Sequence, residues 1–196
     1  MPEPKGDTID SARSRHGVSM PEPKREARAG VAGLTASREA DMRLAQDLLF
    51  FAYRDFTNSA DVILEELGFG RAHHRALHFV GRNPGITVSD LLLILRITKQ
   101  SLARVLGALV ERGYVAQTPG REDRRQRLLT LTPAGEALER RCFESQRERL
   151  APAYRDAGPA AVEGFRRVMQ AVMDESACAY IETTHGPCRS KNKSPV

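Results

Sequence analysis

Residues 87–131 read TVSDLLLILRITKQSLARVLGALVERGYVAQTPGREDRRQRLLTL, and this stretch decides the fold. Thr87 precedes a short apolar run, Val88 to Leu95, with Asp90 three residues on, the spacing of a capping box at a helix N-terminus. Only Arg96 and Ile97 separate that run from Thr98, a second capping residue, and the helix it opens ends near Gly113. Two helices joined so tightly form a helix-turn-helix, whose second helix enters a major groove. In that helix Leu102, Val105, Leu106, Leu109 and Val110 make one apolar stripe that must face a core. Lys99, Gln100, Ser101, Ala103 and Arg104 then point outward. Arginine can pair with guanine and glutamine with adenine, Ser and Lys can serve bases or phosphates, and a small Ala permits close approach. With Thr98, these form the helical part of the candidate DNA-binding set. Taken alone, the spacing fits an ordinary amphipathic helix equally well.

The residues that follow separate the two readings. Tyr114 to Thr118 and Gln126 to Leu131 are short strand candidates joined by Pro119-Gly-Arg-Glu-Asp-Arg124. Leu129 and Leu131 share a strand face and can anchor this hairpin to a core. Its loop adds Arg121, Arg124 and Arg125 to the DNA-binding candidates, because a basic β-loop beside a basic helix can reach phosphates or a narrow minor groove. Glu122 and Asp123 cannot favour phosphate; a carboxylate here is expected to pair with an arginine and fix the loop. Between Arg96 and Arg127 eight basic residues face three acidic ones, so this window carries the whole formal net charge of +5. A basic surface on a neutral body is the footprint of polyanion binding.

Working outward, a 3.6-residue apolar stripe runs through Ala45, Leu48, Leu49, Ala52, Tyr53, Phe56, Ala60, Ile63, Leu64 and Leu67, predicting a long helix from about Arg38 to Leu67. Such a helix is long for a small domain and suits one shared between modules or subunits. Gly68-Phe-Gly70 ends it, and a second helix spans Arg71 to Gly81. Downstream, Thr132 caps a helix with Pro133 at its first position, running to about Leu150. Pro152 and Gly158 break the chain, and a last helix runs from Pro159 to about Glu182. Residues 1–36, with the repeated Met-Pro-Glu-Pro-Lys at 1–5 and 20–24, lack apolar periodicity and are expected to form a disordered tail. Residues 184–196 are expected to form a second, flexible one. The architecture expected is mainly α with a small β-hairpin.

Composition narrows the function. The 196 residues are 41% hydrophobic and 28% charged, values ordinary for a soluble globular protein. The strongest apolar run, Leu91 to Leu95, is far too short to span a bilayer, and the N-terminus does not read as a signal peptide, so a cytoplasmic location is expected. Cys142, Cys178 and Cys188 are odd in number and widely spaced, which argues against a disulfide framework or zinc ribbon. Ordinary reduced thiols are the simpler reading; a thiol sensor at Cys142 or Cys178 is the alternative. No catalytic triad, phosphate loop or paired-carboxylate motif is visible, so neither catalysis nor a cofactor is expected. His74 and His78 share a helical face, but no third metal ligand accompanies them.

Four ordered motifs resemble the MarR family of winged-helix regulators: Thr98-Lys-Gln-Ser-Leu-Ala-Arg-Val105, Leu109-Val-Glu-Arg-Gly-Tyr-Val115, Pro119-Gly-Arg-Glu-Asp-Arg-Arg125 and Leu131-Thr-Pro-Ala-Gly135. The resemblance covers about residues 38–182. Phe51-Ala-Tyr-Arg-Asp-Phe56 and Phe69-Gly-Arg-Ala-His-His-Arg75 are similar to the PetP-type branch. The resemblance implies a winged helix-turn-helix over 71–131, with N- and C-terminal dimerisation helices from 37–70 and 132–183. It implies a homodimer on double-stranded DNA, one recognition helix in each half-site of a near-palindrome, acting as a transcriptional repressor. Asp123 and Arg125 would brace the wing, leaving Arg121 and Arg124 the stronger contact candidates. A small-molecule effector cleft is also implied, with Tyr53, Arg54, His73, His74 and His78 as candidate lining. The plainer reading of these residues, polar or core-edge side chains, stays open. The run Leu91 to Leu95 departs from the family, where polar or alanine-rich residues are usual. A winged-helix adaptor that docks a protein is the alternative function.

Overall fold

The computed structural model describes residues 23–186. Residues 1–22 and 187–196, which carry the first copy of the repeat, Cys188 and most of the expected tails, lie outside that range. The chain divides into two compact units, residues 1–48 and 49–196. Helix α1, Pro23–Glu65, begins in the first. There, residues 38–48 are exposed, including Met42, Leu44 and Leu48, and Arg43 pairs with Glu39 at 2.7 Å.

Helix α1 begins at Pro23, ahead of the expected Arg38, so residues 23–36 depart from the expected tail. Alanine, arginine and glutamate favour a helix through intrinsic propensity, and Pro23 suits a first turn. A test for apolar periodicity does not register either effect.

The second unit carries the remaining elements: α2 (Arg71–Arg82), β1 (Ile86–Thr87), α3 (Val88–Leu95), α4 (Lys99–Glu111), β2 (Val115–Pro119), β3 (Arg127–Leu131), α5 (Pro133–Val172) and α6 (Glu175–His185). The strands form an antiparallel sheet in the order β1-β3-β2. The expected hairpin is present, with Val115 opposite Leu131 and Pro119 opposite Arg127. Strand β1 adds to its edge, pairing Ile86 with Leu129. Two residues are too few to show alternation, so this strand left no signal in the sequence.

One core unites the end of α1, α2 to α5 and the three strands. Leu64, Leu77, Val80, Leu91, Leu95, Leu102, Leu106, Leu109, Val115, Leu129 and Leu138 are all buried in it. The apolar stripe expected on α4 is buried at Leu102, Val105, Leu106 and Leu109, but Val110, at the rim of that face, remains 37% exposed. On α1 the stripe is buried only towards its end, at Ala60 and Leu64. Leu49, Phe50, Phe51 and Tyr53 stand in solvent, as do Phe143, Leu150, Tyr154, Phe165, Val168 and Val172 on α5.

The C-terminal helices divide differently from the sequence reading. Helix α5 runs through Pro152 and is interrupted only at Gly158, whose φ of 78° suits glycine. The helix expected over 159–182 breaks instead at Met173-Asp174. Asp174 caps α6 by accepting from the Ala177 amide at 2.9 Å, and α6 extends to His185. An Asp followed by Glu175 and Ser176 is a capping signal, masked here because Met173 continues the apolar pattern. Among the described residues no helix is long and apolar enough to cross a membrane.

Candidate nucleic-acid interface

The turn between α3 and α4 is built from side-chain caps. Thr87 Oγ1 accepts from the Asp90 amide at 3.1 Å and donates to Asp90 Oδ2 at 2.7 Å. Thr98 Oγ1 accepts from the Ser101 amide at 3.1 Å, and its proton goes to Ser101 Oγ at 2.9 Å. Thr98 is therefore committed to starting α4, and the Ser101 hydroxyl keeps its own proton for another acceptor. Between the helices Arg96 adopts the left-handed region (φ 51°, ψ 44°). That conformation costs a non-glycine residue about 1 kcal/mol. Its guanidinium is held by Asp174 at 2.6 Å and Ser176 at 2.7 Å.

On the outer face of α4, Lys99, Gln100, Ser101, Ala103 and Arg104 are all exposed, as expected. Gly107 extends this face with open space beside it. The wing loop shows how the hairpin is closed. Gln126 donates its amide to the Asp123 carbonyl at 3.0 Å, and the Gly120 amide donates to Gln126 O at 3.1 Å. A Cβ on Gly120 would lie 2.7 Å from the Asp123 carbonyl oxygen, so only glycine fits there.

The expected bracing of the wing by Asp123 and Arg125 takes another form. Asp123 Oδ1 accepts from the backbone amide of Arg125 at 2.9 Å, a local turn bond rather than an arginine–carboxylate pair. The Arg125 guanidinium makes no salt bridge among the described residues, and Arg121, Glu122, Asp123, Arg124, Arg125 and Arg127 are all exposed.

Not every basic residue of the window belongs to this face. Arg96 is neutralised by Asp174, and Arg112 lies 4.8 Å over the Phe69 ring and donates to the Leu67 carbonyl. The other six basic residues of the window, Lys99, Arg104, Arg121, Arg124, Arg125 and Arg127, are open to solvent and make no salt bridge among the described residues. Counting charge along the chain could not separate the two kinds, because the partners of Arg96 and Arg112 are distant in sequence.

Of the five residues considered for an effector cleft, only His78 lines the cavity between α2, α3 and α6. Tyr53 is exposed beside Arg71, whose guanidinium sits 5.8 Å from the ring. Arg54 pairs with Asp55 at 2.8 Å. His73 stacks on Phe69 and accepts from the Gly70 amide at 3.1 Å, closing the start of α2. His74 is buried, and burial lowers its pKa below the ordinary imidazole value. His78 lies 3.7 Å from Glu139 and lines a cavity of about 750 Å³ between α2, α3 and α6 that none of the other four reaches. Among the described residues no group of three or more His, Cys, Asp or Glu side chains could hold a metal. The Cys142 thiol is buried, which pushes its pKa up to about 11, the opposite of an activated thiolate.

Comparison with known proteins agrees with this geometry. The MarR family pattern matches residues 67–126. The chain is 51% identical over 136 residues to the HTH-type transcriptional regulator PetP of Rhodobacter capsulatus, covering 69% of this chain and 82% of that protein. It is 39% identical over 51 residues to the transcriptional activatory protein BadR of Rhodopseudomonas palustris, covering 26% of this chain and 29% of that one. A SlyA-like transcription regulator from Listeria monocytogenes shares the fold at a TM-score of 0.57 and 20% identity, over 74% of this chain and 97% of that structure. A cysteine-to-serine mutant of MarR from E. coli, solved with operator DNA, superposes at a TM-score of 0.55 and 20% identity, over 68% of this chain and 96% of that one. The helix-turn-helix, the wing motif and the extent of identity to PetP place this chain in the MarR family.

Proposed function

We propose that the chain is a dimeric, sequence-specific DNA-binding transcription regulator that acts in the cytoplasm and represses by occluding a promoter. The observation that carries this reading is the set of six solvent-open cations on α4 and the wing. They stand on rigid elements: α4 is capped at Thr98 and buried along its opposite face, and the wing is closed by its own backbone bonds. Gln100, Ser101 and Arg104 are the base-reading side chains, with Ala103 admitting the groove edge. Lys99, Arg121, Arg124 and Arg125 bind phosphate. Residues 71–131 form the DNA-binding part, and 37–70 and 132–183 the dimerisation region. The large apolar side chains exposed on α5, such as Phe165, Val168 and Val172, support a second copy as their cover.

Salt titration of operator binding tests the reading. Affinity falls steeply with salt, because each neutralised phosphate releases a counterion. Arg124→Ala weakens binding to specific and random duplexes alike and lowers the log–log salt slope by about one unit per protomer. An unchanged slope refutes the phosphate contact, and absence of any duplex binding refutes the function. A promoter–reporter assay in cells lacking the protein decides repression: expression rises if the promoter was occluded.

A further inference from the structure

Among the described residues Arg96 is the one non-glycine residue with a positive φ. It sits in the turn between α3 and α4, just ahead of the Thr98 cap. A side chain with a Cβ is disfavoured in this left-handed region, whereas glycine enters it freely. The backbone alone therefore asks for glycine, and the arginine is explained by what its guanidinium reaches.

It reaches α6. Arg96 Nη1 pairs with Asp174 Oδ2 at 2.6 Å, and Nη2 donates to Ser176 Oγ at 2.7 Å. The Ser176 hydroxyl donates in turn to Asp174 Oδ1 at 2.8 Å, so the three side chains close a ring of hydrogen bonds. Asp174 Oδ1 also accepts from the Ala177 amide, the bond that starts α6. One carboxylate thus caps α6 with one oxygen and grips the α3–α4 turn with the other. The neighbouring Leu95 carbonyl is tied down as well, by Arg75 of α2 at 2.8 Å. Arg96 and Asp174 remain partly open to water, so their pairing adds little to overall stability. A two-pronged guanidinium contact instead fixes an orientation.

We infer that Arg96 is a positioning residue for DNA binding. Its clasp on Asp174 and Ser176 fixes the helix-turn-helix against α6, and so sets the separation at which the two α4 helices of a dimer meet their half-sites. The inference rests on the dimeric DNA-binding reading above, in which α6 belongs to the dimerisation region. A loose turn would let each α4 follow a displaced half-site, and a clasped one does not. One added base pair moves a half-site by about 3.4 Å and about 35° around the duplex.

The test uses the full chain to select its operator from a random duplex library. Affinity is then measured on duplexes whose half-site spacing is changed by one base pair either way. Arg96→Gly keeps the turn and deletes the guanidinium. Asp174→Asn keeps the α6 cap, since asparagine caps as well as aspartate, and deletes the charge. The unsubstituted chain is expected to lose at least about tenfold on either altered spacing. In both variants operator affinity falls and the spacing penalty shrinks below about threefold, while the salt slope on random duplexes is unchanged. The double variant is no worse than either single one, because each removes the same clasp. Arg96→Lys, which keeps a cation for Asp174, restores part of the spacing preference. Circular dichroism and sedimentation check folding and dimer formation; if Arg96→Gly does not fold, Asp174→Asn carries the same readout. An unchanged spacing penalty in folded variants, or a double variant weaker than both singles, overturns the inference and leaves the DNA-binding reading standing. So does a lower salt slope in Arg96→Gly with tighter binding by Asp174→Asn, which would make Arg96 a phosphate contact. Indifference of the unsubstituted chain to spacing also overturns the inference alone, whereas a selection that yields no bound duplex overturns the DNA-binding reading and the inference with it.

Discussion

Gly135→Ala isolates the joint between the wing and α5. A Cβ at this position would lie 2.0 Å from the Tyr114 carbonyl oxygen and 3.0 Å from its carbon, with Leu131 Cβ at 3.3 Å. Real Cβ contacts essentially never fall below 3.0 Å, so the backbones must part by about an ångström. The same junction is held by the Thr132 amide to Tyr114 O at 3.1 Å and by Thr132 Oγ1 to Gly113 O at 2.5 Å. Parting the chains stretches both bonds, worth about 1 kcal/mol each, on top of an overpacking cost of about 2 kcal/mol. The better helix propensity of alanine returns about 1 kcal/mol. A net loss of about 3 kcal/mol lowers the melting temperature by about 6–12 °C in a chain of this size. Gly107→Ala is the matched control, because nothing lies within 4 Å of its Cβ position in the middle of α4. It is expected to stabilise by up to about 1 kcal/mol. Both are read by thermal and urea unfolding at one fixed protomer concentration, since a dimer's stability depends on concentration. A Gly135→Ala loss below about 1 kcal/mol would refute the close-approach reasoning.

Other expectations concern single side chains. Arg104→Ala weakens operator binding about 5- to 150-fold and relaxes preference at one base pair; equal affinity for operator and its point variants before and after substitution counts against a base contact. Burial holds the His74 and His73 pKa values low, so the unfolded chain binds more protons in acid, and stability is lost as pH falls below the unfolded value of about 6.5. His74→Leu is expected to flatten that loss, by at most about 1.4 kcal/mol per pH unit; an unchanged stability–pH curve removes His74 as a source. Cys142 is expected to resist alkylation at neutral pH until the protein unfolds, because its thiol is both buried and held protonated. Rapid native-state labelling at that position, mapped by mass spectrometry, would favour a thiol sensor at Cys142.

Much of the helix-turn-helix and the wing was legible in the sequence because its signals are local. The Thr87, Thr98 and Thr132 caps act within three residues, the α4 stripe within four turns, and the Pro119 to Arg124 turn between adjacent strands. Interactions of this range leave a periodic or positional trace. What only the tertiary structure decided depends on residues far apart in the chain. It diverts Arg96 to Asp174 and Arg112 to Phe69, adds β1 to the hairpin through Leu129, sets His78 alone of the five cleft candidates at the cavity beside α6, and turns Leu93 towards α6. A charge count or an apolar period carries no information about which distant side chain arrives beside it. The sequence by itself therefore determined the helix-turn-helix, the wing and the face α4 leaves open, while folding determined which arginines remain free for an anion.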